Sequence, residues 1–179
     1  MTPQELLEAI AALSEAERRD LLSRLHETYG GSEPTPAPVS WPMNGDRERQ
    51  ADFMIVFDGG SQGNPGPAYG SYAIVNDKGD IKVERLKFDE PMTNNEAEYH
   101  TLLAAVRALQ QRVAGRVGHI VVVVRGDSQL VIEQVSGRWQ VKQAHLRPLC
   151  DEARQLLGQF KRHRLVWQSR EDTVRLLGH

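Results

Sequence analysis

Three acidic residues occupy three different kinds of place in this chain. Asp58 closes the apolar run Phe53-Met54-Ile55-Val56-Phe57 and opens a glycine-rich stretch, Gly59-Gly60-Ser61-Gln62-Gly63-Asn64-Pro65-Gly66. Glu98 lies in a helical pattern that begins Thr93-Asn94-Asn95-Glu96-Ala97. Asp127 follows the run Ile120-Val121-Val122-Val123-Val124, within Gly126-Asp127-Ser128-Gln129. A strand end, a helix face and a second strand end can converge on one point. Carboxylates gathered in that way need a cation between them, because like charges at close range cannot all stay ionised. An all-oxygen ligand set selects Mg²⁺ or Mn²⁺, and the chemistry indicated is that of phosphate.

The helix face separates Glu98 from Glu96. At 100° per residue Glu98 lines up with Leu102, Ala105 and Leu109, the stripe that must meet the sheet. An acid there is costly unless it is neutralised or bound to a metal. Glu96 turns away from the stripe and reads as compensation of the helix dipole. Asp58 and Asp127, taken singly, each also read as a turn former or helix cap. The glycine-rich stretch has neither the lysine nor the strand-to-helix context of a phosphate loop.

The elements that must position these acids follow from the pattern. The run at 53–57 is apolar on both faces, as a central strand requires. Tyr69 to Val75 and Ile81 to Phe88 read as strands joined by the hairpin loop Asn76-Asp77-Lys78-Gly79-Asp80. A helix from Asn94 to about Gln111, the valine strand, a short helix from Ser128 to about Ser136, a longer helix from about Ala144 to Lys161 and a strand from Arg164 to Gln168 complete the order. A three-strand antiparallel meander followed by parallel crossover strands gives an α/β fold, a mixed five-stranded sheet flanked by helices. Ligands of such sheets bind at strand C-terminal ends.

Residues 1–30 read as a small N-terminal helical pair. Thr2-Pro3 and Ser14-Glu15-Ala16-Glu17 are its start signals, and Gly30-Gly31 is its stop. The pair is expected to dock on the core, self-associate or bind a protein partner. Residues 31–51, with Pro34, Pro36, Pro38 and Pro42, read as a linker, and 52–179 as the main domain. No apolar stretch is long enough to span a bilayer, and the start of the chain lacks a signal-peptide pattern, so the expected location is the cytoplasm with no membrane partner. The net charge of −2 confines any nucleic-acid binding to a local patch. The single cysteine, Cys150, reads as an inert buried or half-buried thiol.

Taken together, Asp58-Gly59-Gly60 with Gly63-Asn64-Pro65-Gly66, Thr93-Asn94-Asn95 with Ala97-Glu98, and Asp127-Ser128-Gln129 resemble the type 1 ribonuclease H family, in the form without the basic protrusion. The resemblance runs from about Phe53 to Asp172. It implies a metal-dependent endonuclease that cleaves the RNA strand of RNA·DNA hybrids, with Asp58, Glu98 and Asp127 as catalytic metal ligands for two Mg²⁺ or Mn²⁺ ions. One ion would lower the pKa of an attacking water and the other would stabilise the leaving 3′ oxygen. Gly59, Asn64, Thr93, Asn94, Asn95 and Gln129 match substrate-binding positions, where amides can bond 2′-hydroxyls and base edges.

The C-terminus departs from the family pattern. Trp167-Gln168-Ser169-Arg170-Glu171-Asp172-Thr173 matches its start, but Leu177 stands where the fourth aspartate belongs. Asp172, Glu171 and the terminal carboxylate are the candidates to replace it. The substitution opens an alternative, a catalytically weakened hybrid-binding or interaction module. Val135 to Ala144 is too short for a basic protrusion. Arg138, Trp139 and Lys142 within it read either as solvated surface or as a strip contacting the nucleic-acid backbone.

Overall fold

The computed structural model describes residues 51–178. The helical pair expected over 1–30, the linker up to residue 50 and the terminal carboxylate of His179 lie outside the described residues. The strands are β1 Phe53–Ser61, β2 Ala68–Asn76, β3 Ile81–Lys87, β4 Val121–Gly126 and β5 Arg162–Trp167. They form one sheet in the order β3-β2-β1-β4-β5. β1, β2 and β3 pair antiparallel, and β1–β4 and β4–β5 pair parallel. The helices are α1 Asn94–Val113, α2 Gln129–Val135, α3 Arg147–Leu157 and α4 Arg170–Leu177. The mixed five-stranded sheet expected from the sequence is therefore present.

The two-sided apolar character of β1 has a direct cause. Ile55 and Phe57 join the large cluster formed with Tyr99, Leu102 and Leu109 of α1, Val122 and Val124 of β4, and Cys150 and Leu157 of α3. Met54 and Val56, pointing the other way, pack with Ala73, Val75 and Leu177 of α4. Helix α1 starts on a full capping box. The Thr93 hydroxyl accepts from the Glu96 amide, and the Glu96 carboxylate accepts from the Thr93 amide at 2.8 Å. Its stripe residues Leu102, Ala105 and Leu109 are completely buried, as the face argument requires.

Several boundaries differ from expectation. β1 does not stop before Asp58 but continues to Ser61, because β2 follows it residue for residue as far as Ser61 opposite Ala68. The long helix expected from Ala144 is a 3₁₀ turn, Ala144–Leu146, followed by α3. Pro148 sits in the first turn of α3, where its missing amide is harmless and its fixed φ starts a new helix. That helix ends at Leu157 rather than Lys161, and the chain enters the edge strand β5 two residues earlier than expected.

Candidate active site

Strand register places the two aspartates side by side. Phe57 opposite Gly126 is the last parallel pair of β1 and β4, so Asp58 and Asp127 stand on the next step. Helix α1 supplies the third acid by lying almost in contact with β1. A Cβ added at Gly59 would fall 2.6 Å from the carbonyl carbon of Ala97 and from the amide of Glu98, a distance that excludes any side chain. Glycine at 59 thus sets how closely Glu98 approaches the strand. One carboxylate oxygen from each of Asp58, Glu98 and Asp127 lies within 4.8 Å of the others. Asp58 and Glu98 are only 5% and 7% exposed, and Asp127 is half-buried.

The electrostatics of this group are those of a site awaiting positive charge. Burial pushes the Glu98 carboxyl up to about 8, and the Asp127 and Asp58 charges add to the rise. The Ser128 hydroxyl and Arg170 act in the opposite sense. Glu98 Oε1 accepts a long hydrogen bond, 3.4 Å from Asn94 Nδ2, and its buried Oε2 has no hydrogen-bond donor among the described residues. A buried carboxylate oxygen left without a donor is expensive unless a cation or a proton meets it. Three converging carboxylates, one of them with an orphaned oxygen, fit a hard divalent ion such as Mg²⁺ or Mn²⁺.

The other predicted residues fall into three groups. Around the acids, the Asn64 side chain accepts from the Asn94 amide at 3.1 Å, and Gly66 and Met92 exchange backbone hydrogen bonds. These contacts tie the glycine-rich loop, which contains a cis Asn64–Pro65 bond, to the start of α1. Asn64, Asn94 and Gln129 are exposed, Asn95 is half-buried, and Thr93 is engaged as the α1 cap. At the C-terminus, Asp172 lies outside the converging group. Its carboxylate accepts from the Ser169 hydroxyl at 2.8 Å and faces Arg175, so it serves the start of α4. Leu177 is 1% exposed and packed against Met54 and Val56. In the segment after α2, Arg138, Trp139 and Lys142 line a groove of about 520 Å³ with Leu130, Gln134, Gln140 and Gln143. Trp139 is 46% exposed there, and Arg138 is paired with Glu133.

Residues 56–174 match the family described as reverse transcriptase-like. A ribonuclease HI of Halobacterium salinarum is 38% identical over 131 residues, covering 73% of this chain and 61% of that protein. The crystal structure of RNase H1 from the same archaeon superimposes with a TM-score of 0.62 at 34% identity, covering 69% of this chain and 90% of that one. The chain belongs to the type 1 ribonuclease H family. A second ribonuclease H structure, LC11-RNase H1 in complex with an RNA/DNA hybrid, gives a TM-score of 0.63 at 29% identity, covering 69% of this chain and 90% of that one. The bifunctional protein Rv2228c of Mycobacterium tuberculosis is 40% identical over 118 residues, 65% of this chain. The chain spans 31% of the length of that relative and 61% of the archaeal ribonuclease HI.

Two side-chain links near the acids were not visible in the sequence. The Tyr99 hydroxyl, on the residue after Glu98, donates to Gln134 Oε1 at 2.8 Å, and Gln134 Nε2 donates to the Gln140 carbonyl at 3.4 Å. This buried chain joins α1 to the groove loop. Arg170 Nη1 stands 3.8 Å from Asp127 Oδ2. Neither pairing has a sequence signature, since each joins segments far apart in the chain through one polar side chain.

Proposed function

We propose that this protein is a divalent-metal-dependent endonuclease that cleaves the RNA strand of RNA·DNA hybrids. The observation that carries the reading is the convergence of Asp58, Glu98 and Asp127, with a buried Glu98 oxygen that no donor among the described residues satisfies. Two ions of Mg²⁺ or Mn²⁺, held there by the three carboxylates, would supply a water of lowered pKa and positive charge at the leaving 3′ oxygen. The residues themselves do the positioning. Asp58 and Asp127 are set by the strand register, and Glu98 by the close packing of α1 on Gly59. The exposed amides of Asn64, Asn94 and Gln129, with half-buried Asn95, offer donors and acceptors to 2′-hydroxyls and base edges, which favours a strand of RNA over one of DNA. Gly59 lets the backbone approach, and Thr93 holds the amide-bearing turn in place. The Arg138–Trp139–Lys142 groove adds a stacking face and two cations for the hybrid backbone.

The test is cleavage of an end-labelled hybrid in Mg²⁺ and in Mn²⁺, with matching duplex DNA and RNA as controls. Cleavage of only the RNA strand of the hybrid, stopped by chelator and by Asp58→Asn, is the expected result. Equal cleavage of duplex DNA would overturn the substrate assignment. One observation favours a second reading, a weakened module that binds hybrids without cutting them efficiently. The fourth acidic place of the family resemblance is filled by Leu177, buried among apolar side chains, and Asp172 does not move in to replace it. Hybrid binding with no cleavage in either metal would select that reading.

A further inference from the structure

β3 closes the sheet on one side, and among the described residues no strand pairs with its outer edge. Which of its backbone groups face outward follows from its pairing with β2. The Asn76 amide donates to the Asp80 carbonyl at 3.2 Å, and the Phe88 amide donates to the Ala68 carbonyl at 3.0 Å. Between these two points the register is unbroken, from Val75 opposite Ile81 to Tyr69 opposite Lys87. Hydrogen-bonded and non-hydrogen-bonded pairs alternate in an antiparallel ladder, so Lys82, Glu84 and Leu86 turn their amides and carbonyls toward β2. Those of Ile81, Val83, Arg85 and Lys87 point off the sheet. Helices α1 and α4 pack chiefly on β1 and β2. Ile81 and Val83 are 38% and 40% exposed, on the face of the sheet that carries α4. An open edge with an apolar row is a template for a further strand.

Charges on such an edge ordinarily repel a second strand. In Ile81-Lys82-Val83-Glu84-Arg85 they favour one partner, the same segment of another copy. We propose that the β3 edge is a self-association surface, on which a second copy of this chain pairs antiparallel about a two-fold axis through Val83. The axis must fall on an outward-facing residue if the two edges are to exchange hydrogen bonds. Through Val83 it sets valine against valine. Lys82 then stands opposite the partner's Glu84, and Glu84 opposite the partner's Lys82, in non-hydrogen-bonded pairs, where side chains come closest. In the single chain Lys82 and Glu84 already pair at 2.8 Å, and the dimer joins two such couples into one alternating set of four charges. Arg85 falls opposite the partner's Ile81, which its aliphatic stem can cover while its guanidinium stays on the Gly178 carbonyl at 3.3 Å. The other axes are worse. Through Arg85 or Lys87 a cation meets itself, and through Ile81 the strand runs onto Gly79, whose φ of 84° no strand adopts. Two five-stranded sheets thus join into one of ten, with each acidic site two strands in from the junction.

Sedimentation equilibrium of the full-length protein, up to about 1 mM, tests the surface, and a concentration-dependent dimer is expected. Glu84→Lys and Lys82→Glu each turn two attractive pairs into two repulsive ones, so each variant alone should dimerise at least about tenfold more weakly. Mixed together, the two variants restore opposite charges in both pairs and should form a heterodimer about as tight as the parent dimer. A structural defect, or association through another surface such as residues 1–30, would not be repaired by mixing. In the parent, deuterium exchange at the Ile81, Val83 and Arg85 amides should slow as concentration rises. The Lys82 and Glu84 amides, already bonded to β2, should change less. A parent that stays monomeric throughout overturns the proposal. So does a dimer that either charge reversal leaves intact, or two folded variants that fail to pair when mixed. If a variant does not fold, the exchange pattern of the parent decides, and no slowing at Ile81, Val83 and Arg85 overturns the proposal.

Discussion

Asp58 and Glu98 are both nearly buried carboxylates, yet their replacement should have different signatures. Asp58→Asn should lower hybrid cleavage by about 10²-fold or more while leaving a single cooperative melt, because it removes a ligand charge without changing shape. Glu98 also carries a pH effect. Its folded carboxyl titrates at about 8 against an ordinary 4.5, chiefly through burial. Between those values the native state holds a proton that the unfolded chain has released, so metal-free stability falls as pH rises through that window. Glu98→Gln should remove this slope. Melts in chelator at about pH 5 and about pH 9 should show the variant gaining on the parent at the higher pH, by about 5 °C or more in Tm. A flat parent profile would contradict the burial of an unsatisfied Glu98. The three acids were legible because each breaks an apolar pattern at a place where an acid is costly. Arg170 lies in the segment that matches the family's C-terminal pattern, but its pairing with Asp127 was not legible, since an arginine at a helix start looks like any surface charge until the fold brings it 3.8 Å from that carboxylate.

The elements carry the site through two contacts that tolerate little change. Gly59→Ala should destabilise the domain by about 1–3 kcal/mol, since its methyl meets the α1 backbone and neither element can yield cheaply. It should also lower activity more than stability alone explains, by moving Glu98 away from the strand. Urea melts and kinetics on the same preparation separate the two effects. Leu177→Asp should lower stability by several kcal/mol, because it buries a carboxylate among Met54, Val56, Ala73 and Val75, whereas Leu177→Met should be nearly neutral. Sheet order, the α1 face and the start of α1 could all be read from hydrophobic period and capping residues. The extension of β1 past Asp58 could not, because glycine and serine give no strand signal, and only the match to β2 decides it. The break before α3 was overlooked although Pro148 marks it, since the amphipathic pattern runs through the 3₁₀ turn without interruption.

At the scale of the molecule, a chain of net charge −2 has no general attraction for nucleic acid. The proposed hybrid affinity would have to come from local contacts, with the Arg138–Trp139–Lys142 groove the proposed strip, and should be weak and fall steeply with salt. Trp139→Ala should reduce hybrid affinity with little change in melting temperature, as the indole is half exposed and stands outside both apolar clusters. The described residues 51–178 hold the whole five-stranded sheet and its covering helices. A fragment covering 51–179 should accordingly melt cooperatively and keep any hybrid cleavage that the full chain shows. The seat of Leu177 has a further consequence for motion. A helix anchored by a carboxylate on an ion loosens when the ion leaves. Here α4 is pinned by an aliphatic side chain under the sheet, so its opening does not depend on metal. Amide protons from Val174 to Leu177 should exchange with deuterium at the same slow rate in chelator as in Mg²⁺, even as those around Glu98 respond.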